Sequence, residues 1–282
     1  MKALLLGISA GILLGVSDLF AAKTARFVPS ITVARSAFTA STIVGIGLVL
    51  AVPSSFTVRD TLISLVSGGL MAVGLALLYE GYKVSSIGLI APTSAVLLGL
   101  VPVLDSIRKG DRPSSFAWIG MALGIAAIGM ATYRPGEPGK AKTALLFGAG
   151  SGLMFGMAFA LFDYTSKESG LTPVLIQRLS AGAILAAAML FDRSPNGRAP
   201  WIAVHPPARR LGVVTGVCAG LAIACVQLGY RAGSSGPVAV ATSQFATVGV
   251  LLSVAFEREH LRRLQWIGLV CAAVGVGLLA IG

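Results

Sequence analysis

Several ionisable or strongly polar side chains lie inside long apolar runs of this sequence, and they are the residues best placed to do chemistry. A charge within an apolar run is costly, so it usually pairs with another charge, binds a substrate or carries a proton. In the first half these residues are Asp18, Arg35, Glu80 and Lys83, and in the second half they are Asp163, Lys167, Arg178, Gln227 and Arg231.

The spacing of these residues predicts a polar gate at each end of the runs. The members of the first group lie within about four to six residues of the same end, which is roughly 5–9 Å deep at 1.5 Å per helical residue. Opposite charges at one depth can pair. The second group would form the gate at the other end, and the two halves of the chain would rock between the gates.

Helix-end charges that reach lipid headgroups are the alternative, and this alternative suits the long basic side chains best. The short acidic side chains of Asp18 and Glu80 cannot reach so far. When the two halves are aligned, Asp18 falls on Phe159 and Glu80 on Leu228, so these acids belong to one half only. A carboxylate in apolar surroundings can carry a coupling proton, and we expect that role for one of them.

Small polar residues near the centre of two further runs are candidates for contact with a substrate. Prolines within or before these runs (Pro92, Pro102 and Pro237) would interrupt the helices and free backbone carbonyl groups. Hydrogen bonds between packed helices are an equally good use of such side chains. The candidates for the substrate path are Thr93, Ser94, Thr242, Ser243, Gln244 and Tyr79, the last of which also suits an interfacial aromatic belt.

The composition places the chain among membrane proteins. Of its 282 residues 55% are hydrophobic and only 12% are charged, and the mean hydropathy is +0.86. The net charge of +11 comes from basic residues scattered between apolar runs, a pattern that suits anionic lipid headgroups and not nucleic acid. The two histidines lie in loops, and no catalytic constellation or metal spacing is present in the sequence. We therefore expect no enzyme activity, no metal and no cofactor.

Ten apolar runs, each near the ~20 residues that cross a bilayer, predict an all-α integral membrane fold with both termini on one side. Continuous apolar runs favour helices over the alternating strands of a barrel. The predicted spans are 3–22, 30–52, 62–82, 84–105, 115–132, 143–163, 171–191, 211–230, 236–256 and 264–281.

The sequence repeats itself. Gly81-Tyr82-Lys83 recurs 148 residues later as Gly229-Tyr230-Arg231, and the glycine ladder at Gly7, Gly11 and Gly15 recurs 141 residues later. The repeats are residues 1–136 and 137–282, which together form one membrane domain of five spans each. Five is odd, so the second repeat must enter the membrane from the opposite side. Such inverted repeats are typical of secondary transporters, whose substrate site lies at the repeat interface.

Four motifs resemble the EamA-type branch of the drug/metabolite transporter superfamily. Residues 15–23 resemble the end of that family's first helix, although Val16 and Asp18 replace a common Trp and a common neutral residue. Arg35 resembles the arginine early in the second helix. Acidic turns before a Gly-containing fifth helix are matched at Asp111-Arg112-Pro113 and at Glu259-His260.

The resemblance implies ten helices in two repeats and transport of a small metabolite, amino-acid-like or another small organic solute, with export as the expected direction. A lipid-linked substrate flippase of the same fold is the alternative. We expect a multi-pass protein of the plasma (inner) membrane, as a monomer or homodimer in contact with lipid. The resemblance implies cytoplasmic termini, whereas the Lys and Arg of all the loops together favour the opposite orientation.

Overall fold

The structure is a computed structural model of the chain. It describes residues 1–25, 27–85, 87–110, 112, 114–132, 138–191, 206–233, 235–257 and 261–281. The predicted acidic turns at Asp111 and at Glu259-His260, and the loop at 192–205, lie outside the described residues.

The described residues form eleven α-helices and a single 3₁₀ turn, Lys167–Ser169, and contain no strand. The helices are α1 (Lys2–Ala25), α2 (Ser30–Ala51), α3 (Val58–Val84), α4 (Ile87–Arg108), α5 (Ser115–Thr132), α6 (Pro138–Phe162), α7 (Thr172–Phe191), α8 (Pro206–Ala232), α9 (Ser235–Thr242), α10 (Phe245–Glu257) and α11 (Arg263–Ile281).

Six stretches are long and apolar enough to cross a membrane by themselves, and three shorter apolar helices accompany them. The ninth predicted span is not one helix, because α9 and α10 are separated at Ser243 and Gln244. The prolines do not cause this break. Pro92 and Pro102 lie inside α4 without ending it, contrary to our expectation, because carbonyl groups freed by a proline inside a membrane helix can be satisfied by neighbouring helices.

The glycine ladders bring helices from opposite halves into backbone contact. On α1, Gly7 and Gly11 face the carbonyls of Val238 and Ala241, at 2.9 Å from the position that a Cβ atom would take. Only a residue without a side chain permits so close an approach. On α6 the corresponding ladder faces α4 in the same way, since Gly148 meets the carbonyl of Ile90 at 3.0 Å, 148 residues before Val238.

Other contacts repeat in the same manner. Ser17 on α1 donates to the carbonyl of Thr215 on α8 at 3.0 Å. At the equivalent crossing Ser67 on α3 donates to the carbonyl of Ala158 on α6, also at 3.0 Å. These four positions are related by the sequence offsets of 141 and 148 residues. The two halves therefore use the same helix pairs to hold each other.

The contacts of α2 and α7 fix their correspondence. Gly216 packs on the carbonyl of Ala37, and its counterpart Gly68 packs on the carbonyl of Gln177. An offset of 140 residues therefore relates α2 to α7. It places Phe38, and not Arg35, at the position that corresponds to Arg178.

Helix packing divides the array into two bundles, each built from both halves. The first bundle contains α1, α2, α8, α9 and α10, and the second contains α3, α4, α6 and α7. The helices α5 and α11 pack on each other beside them. The mechanical units are thus mixed bundles, whereas the sequence repeats suggested that each half would move as one body.

Replacing Gly152 by Ala tests the glycine contacts. The new Cβ would lie 2.4 Å from the carbonyl oxygen of Ser94, a backbone atom that cannot move aside cheaply. We expect the free energy of unfolding to fall by about 1–3 kcal/mol, the usual cost of overpacking. Thermal unfolding of the purified protein in detergent measures this loss. Gly47→Ala is the control, because nothing lies within 4 Å of its Cβ position, and an equal loss in both variants would contradict the packing argument.

Candidate functional site

A cavity of about 40 Å³ lies at the centre of the array, between the two bundles. At 10–15 Å³ per probe sphere this holds roughly two or three water molecules, which is too little for an organic solute. Eight helices supply its wall, and α5 and α11 contribute no described residue to it. The lining residues are Leu14, Ser17, Asp18, Ala37, Phe38, Met71, Leu75, Leu78, Tyr79, Leu98, Phe155, Phe159, Arg178, Ala219, Ile223 and Phe245.

Most of this wall consists of positions that correspond in the two halves. Where both members of a pair are apolar, they give the cavity a similar surface on either side. At two pairs the correspondence is broken, because one member is charged and the other is a phenylalanine. The pairs are Leu14 with Phe155, Met71 with Ala219, Leu75 with Ile223, Asp18 with Phe159, and Arg178 with Phe38.

Arg178 is the positive member of the cavity wall. Its side chain is only 2% exposed, and its guanidinium carbon stands 5.2 Å from the centroid of the Phe38 ring. Within the described part of the chain, Nε and Nη2 of Arg178 have no hydrogen-bond partner. A buried guanidinium with two open donors is a site for an anion.

Asp18 is the negative member, and it joins the two bundles. Its residue is 5% exposed, and its Oδ2 accepts a hydrogen bond from the hydroxyl of Tyr82 on α3 at 2.9 Å. One turn along α3, the hydroxyl of Tyr79 hydrogen-bonds Ser17. Ser17 gives its own hydrogen to Thr215. Among the described residues no ion pair joins Asp18 to Arg178, so the cavity keeps its two charges apart.

At the end of the array where α1 begins, here called the terminal end, a hydrogen-bonded cluster closes the structure. Asp60 in the first turn of α3 is 2% exposed and accepts from the backbone N–H of Ser166 at 3.2 Å. The hydroxyls of Ser166 and Ser169 also donate to its carboxylate. The helix start itself is capped by Thr57, whose side chain accepts from the Asp60 N–H.

This cluster holds the loop after α6 where α8 can reach it. Arg231 donates to the carbonyls of Lys167 and Ser166, the latter at 3.0 Å. One turn earlier on α8, Nε2 of Gln227 donates to the hydroxyl of Thr165 at 3.1 Å. These bonds cross from the first bundle to the second. They are the terminal-end counterpart of the Tyr82–Asp18 contact at the far end.

A second polar cluster at the terminal end lies within one bundle. Nζ of Lys109 contacts Asp163 at 2.8 Å and Asp105 at 2.9 Å, and Tyr164 donates to Asp105 at 2.8 Å. Partial burial alone would lower the pKa of Lys109, but hydrogen bonds to the two acids outweigh it and raise that pKa above its ordinary value. Lys109 therefore stays charged, and it ties α4 to α6 without reaching the first bundle.

The predicted gate residues are distributed between these environments. Glu80 pairs with Lys83 on the surface at 2.9 Å, with the Glu80 side chain 47% exposed. Asp163 belongs to the Lys109 cluster, and Gln227 joins the two bundles at the terminal end. Arg35 is partly buried on α2 and is not among the described residues that line the cavity.

Of the six predicted substrate-path residues, Tyr79 is the one that the structure places in the described cavity wall. The other five lie between packed helices, where they make polar contacts or fill buried positions. Ser94 accepts from Ser151 on α6 at 3.1 Å, and Gln244 donates to the carbonyl of Ala273 on α11 at 3.2 Å. Thr93, Thr242 and Ser243 are almost fully buried.

The Asp60 cluster was missed by sequence analysis. Thr57 and Asp60 form the Thr-x-x-acid pattern of a capping box, which marks a helix start. That pattern places Asp60 at the first turn of α3. It carries no information about the Ser166 and Ser169 hydroxyls, which lie more than 100 residues away in sequence.

Removing the Asp60 carboxylate should open the terminal end more often. We expect Asp60→Ala to raise the labelling rate of a single cysteine at Ala219, in the cavity wall, by roughly tenfold. One hydrogen bond to a charged group contributes about 1.5–3 kcal/mol, enough for that change. An impermeant thiol reagent measures the rate in a background in which Cys218, Cys225 and Cys271 are replaced by alanine.

Glu168→Ala is the matched control for that experiment. The carbonyl of Glu168, and not its exposed side chain, accepts from Ser55 at 2.8 Å, so this variant should label at the parental rate. Equal labelling of Asp60→Ala and Glu168→Ala would show that the Asp60 cluster does not hold this end closed.

Comparison with known proteins follows this geometry. Residues 142–281 match the sequence model of the EamA-like transporter family, which confirms the resemblance seen in the motifs. The chain is also similar to a solved crystal structure of a protein, with a TM-score of 0.71 and 15% identity over 99% of this chain and 97% of the other. At that identity the likeness shows the fold alone. No curated protein matches the sequence.

Proposed function

We propose that this chain, a member of the EamA-like transporter family through residues 142–281, carries a small organic solute across a membrane by alternating access. The observation that carries the proposal is the central cavity, whose wall is built from corresponding positions of both halves. A site on the boundary between two similar bodies can face either side of a membrane when those bodies rock.

Repeated contacts support an inverted repeat of residues 1–136 and 137–282. The glycine ladders, the two serine–carbonyl bonds and the packing of α2 on α7 all recur when the halves are exchanged. Each repeat crosses the membrane an odd number of times, so an exchange of halves also exchanges the two sides. A transporter of this construction has two outward-facing and inward-facing states of similar energy.

Two sets of hydrogen bonds are placed to act as gates between the bundles. The bonds of Gln227 and Arg231 join them at the terminal end, and the bonds of Tyr82 and Tyr79 join them near the far end. With both sets formed, the cavity is too small for a solute. Opening either set while the other holds would give access from one side at a time.

Asp18 is the group that we propose for proton coupling. It lies in the cavity wall and also accepts the bond that closes the far gate, so its protonation state would affect both solute and gate. Glu80, the other acid considered from sequence, is exposed and paired with Lys83. An exposed ion pair contributes little and is remote from the cavity wall, so it is poorly suited to coupling.

We further propose export across the plasma membrane with cytoplasmic termini. In the first half, five Lys and Arg residues outside the apolar runs lie on the side of the termini and three on the other side. Early helices usually dominate orientation, and the side richer in basic residues is usually the cytoplasmic one.

Solute flux in proteoliposomes tests the proposal. With labelled leucine or phenylalanine as probe, we expect counterflow in the wild type and additional flux when a pH gradient is imposed. Asp18→Asn keeps an acceptor for Tyr82 but cannot exchange a proton, so gradient-driven flux should fall at least tenfold while counterflow remains. Glu80→Gln is the matched control and should keep both activities.

Three outcomes would contradict parts of this account. Gradient-driven flux that survives in Asp18→Asn would remove the coupling role of that acid. Loss of coupling in Glu80→Gln alone would move the role to the surface pair. Absence of flux for any soluble probe, together with movement of a labelled lipid-linked solute, would favour the flippase.

A further inference from the structure

The unpartnered guanidinium of Arg178 indicates what kind of solute the cavity takes. Arg178 is 2% exposed, lines the cavity and leaves Nε and Nη2 without hydrogen-bond partners in the described part of the chain. A stack on the Phe38 ring at 5.2 Å offsets part of the cost of burying this charge, but it does not satisfy the two N–H donors.

The fold does not require a charge at this position. The corresponding residue in the other half is Phe38, which occupies its place in the wall without any polar group. A buried charge that lacks a partner weakens the empty protein, and an apolar residue of similar size would be cheaper. Retention of arginine is therefore explained by a partner that arrives from outside the chain.

The shape of the guanidinium group selects the partner. Its planar N–H groups match the two oxygens of a carboxylate or of a phosphate. The same cavity wall carries the carboxylate of Asp18, and Arg178 is the one cation among its described residues. A phosphate dianion would add two negative charges to a site that already holds one acid. A carboxylate, with a single charge, is balanced by Arg178.

The rest of the wall describes the remainder of the solute. Four phenylalanines line the cavity, namely Phe38, Phe155, Phe159 and Phe245, and leucines and Ile223 fill much of the space between them. Such a surface accepts an apolar body and offers few hydrogen bonds. Resting on the transport function proposed above, we propose that Arg178 anchors the carboxylate of a small solute whose apolar body packs against these rings.

Binding to the purified protein tests this site without reference to flux. The probes are leucine and phenylalanine, each compared with its amide, which keeps the ammonium group and the apolar body but lacks the carboxylate. We expect at least one amino acid to raise the thermal midpoint of the wild type in detergent, and its amide to bind at least tenfold more weakly. An amide that binds as tightly as its amino acid would overturn the proposal.

Substitution assigns the effect to the arginine. Arg178→Met should reduce amino-acid affinity at least tenfold without lowering the thermal midpoint of the empty protein, because it removes an unpaired buried charge. Arg178→Lys should keep the preference for carboxylate at reduced affinity, since Lys offers a charge without the planar fork. Arg263→Met, at an exposed arginine of α11, is the matched control and should bind like the wild type.

The failures of the site and of the transport function are distinguishable. Unchanged amino-acid affinity in both Arg178 variants would overturn the anchor even if flux is observed. Binding that prefers carboxylates and is lost in Arg178→Met supports the anchor, and an absence of counterflow with the same probe would then count against transport alone. Binding of neither amino acid would overturn the apolar carboxylate as the solute.

Discussion

The structure depends on backbone contact between helices of opposite halves, which only glycine allows. Gly11 on α1 lies against the carbonyl of Ala241, and Gly152 on α6 lies against that of Ser94. These contacts bind α1 to helices of the second half and α6 to helices of the first. The units that can move as bodies are consequently mixed bundles, and the surface between them contains the cavity. A symmetric scaffold of this kind provides two gates, one at each end.

Chemical function enters where the correspondence of the halves is broken. Asp18 and Arg178 each replace what is phenylalanine in the other half, and both face the cavity. Their unequal surroundings suit different roles. Asp18 is engaged by Tyr82 from the opposite bundle, so it is tied to gating, whereas Arg178 has open donors and is available to a solute. The helices and glycines supply motion, and the two charges supply selectivity and coupling.

Sequence patterns predicted the apolar helices and the duplication because hydropathy and glycine spacing are local signals. They did not predict the partners of the charged residues. Arg35 and Arg178 seemed equivalent from their position early in a span, yet the packing of α2 on α7 separates them by one turn and places only Arg178 in the described cavity wall. The break after α9 and the Asp60 cluster likewise depend on contacts between distant segments, about which a single sequence carries no local signal.

The most direct test of alternating access is to tie the two bundles together at the terminal end. Cysteines at Thr165 and Gln227, whose side chains are hydrogen-bonded across the bundles, can be joined by a short reducible cross-linker. The account predicts that counterflow stops on cross-linking and returns on reduction. Cysteines at Lys109 and Asp163, joined within one bundle, should leave counterflow unchanged. Full counterflow with Thr165 and Gln227 cross-linked would contradict the proposed motion.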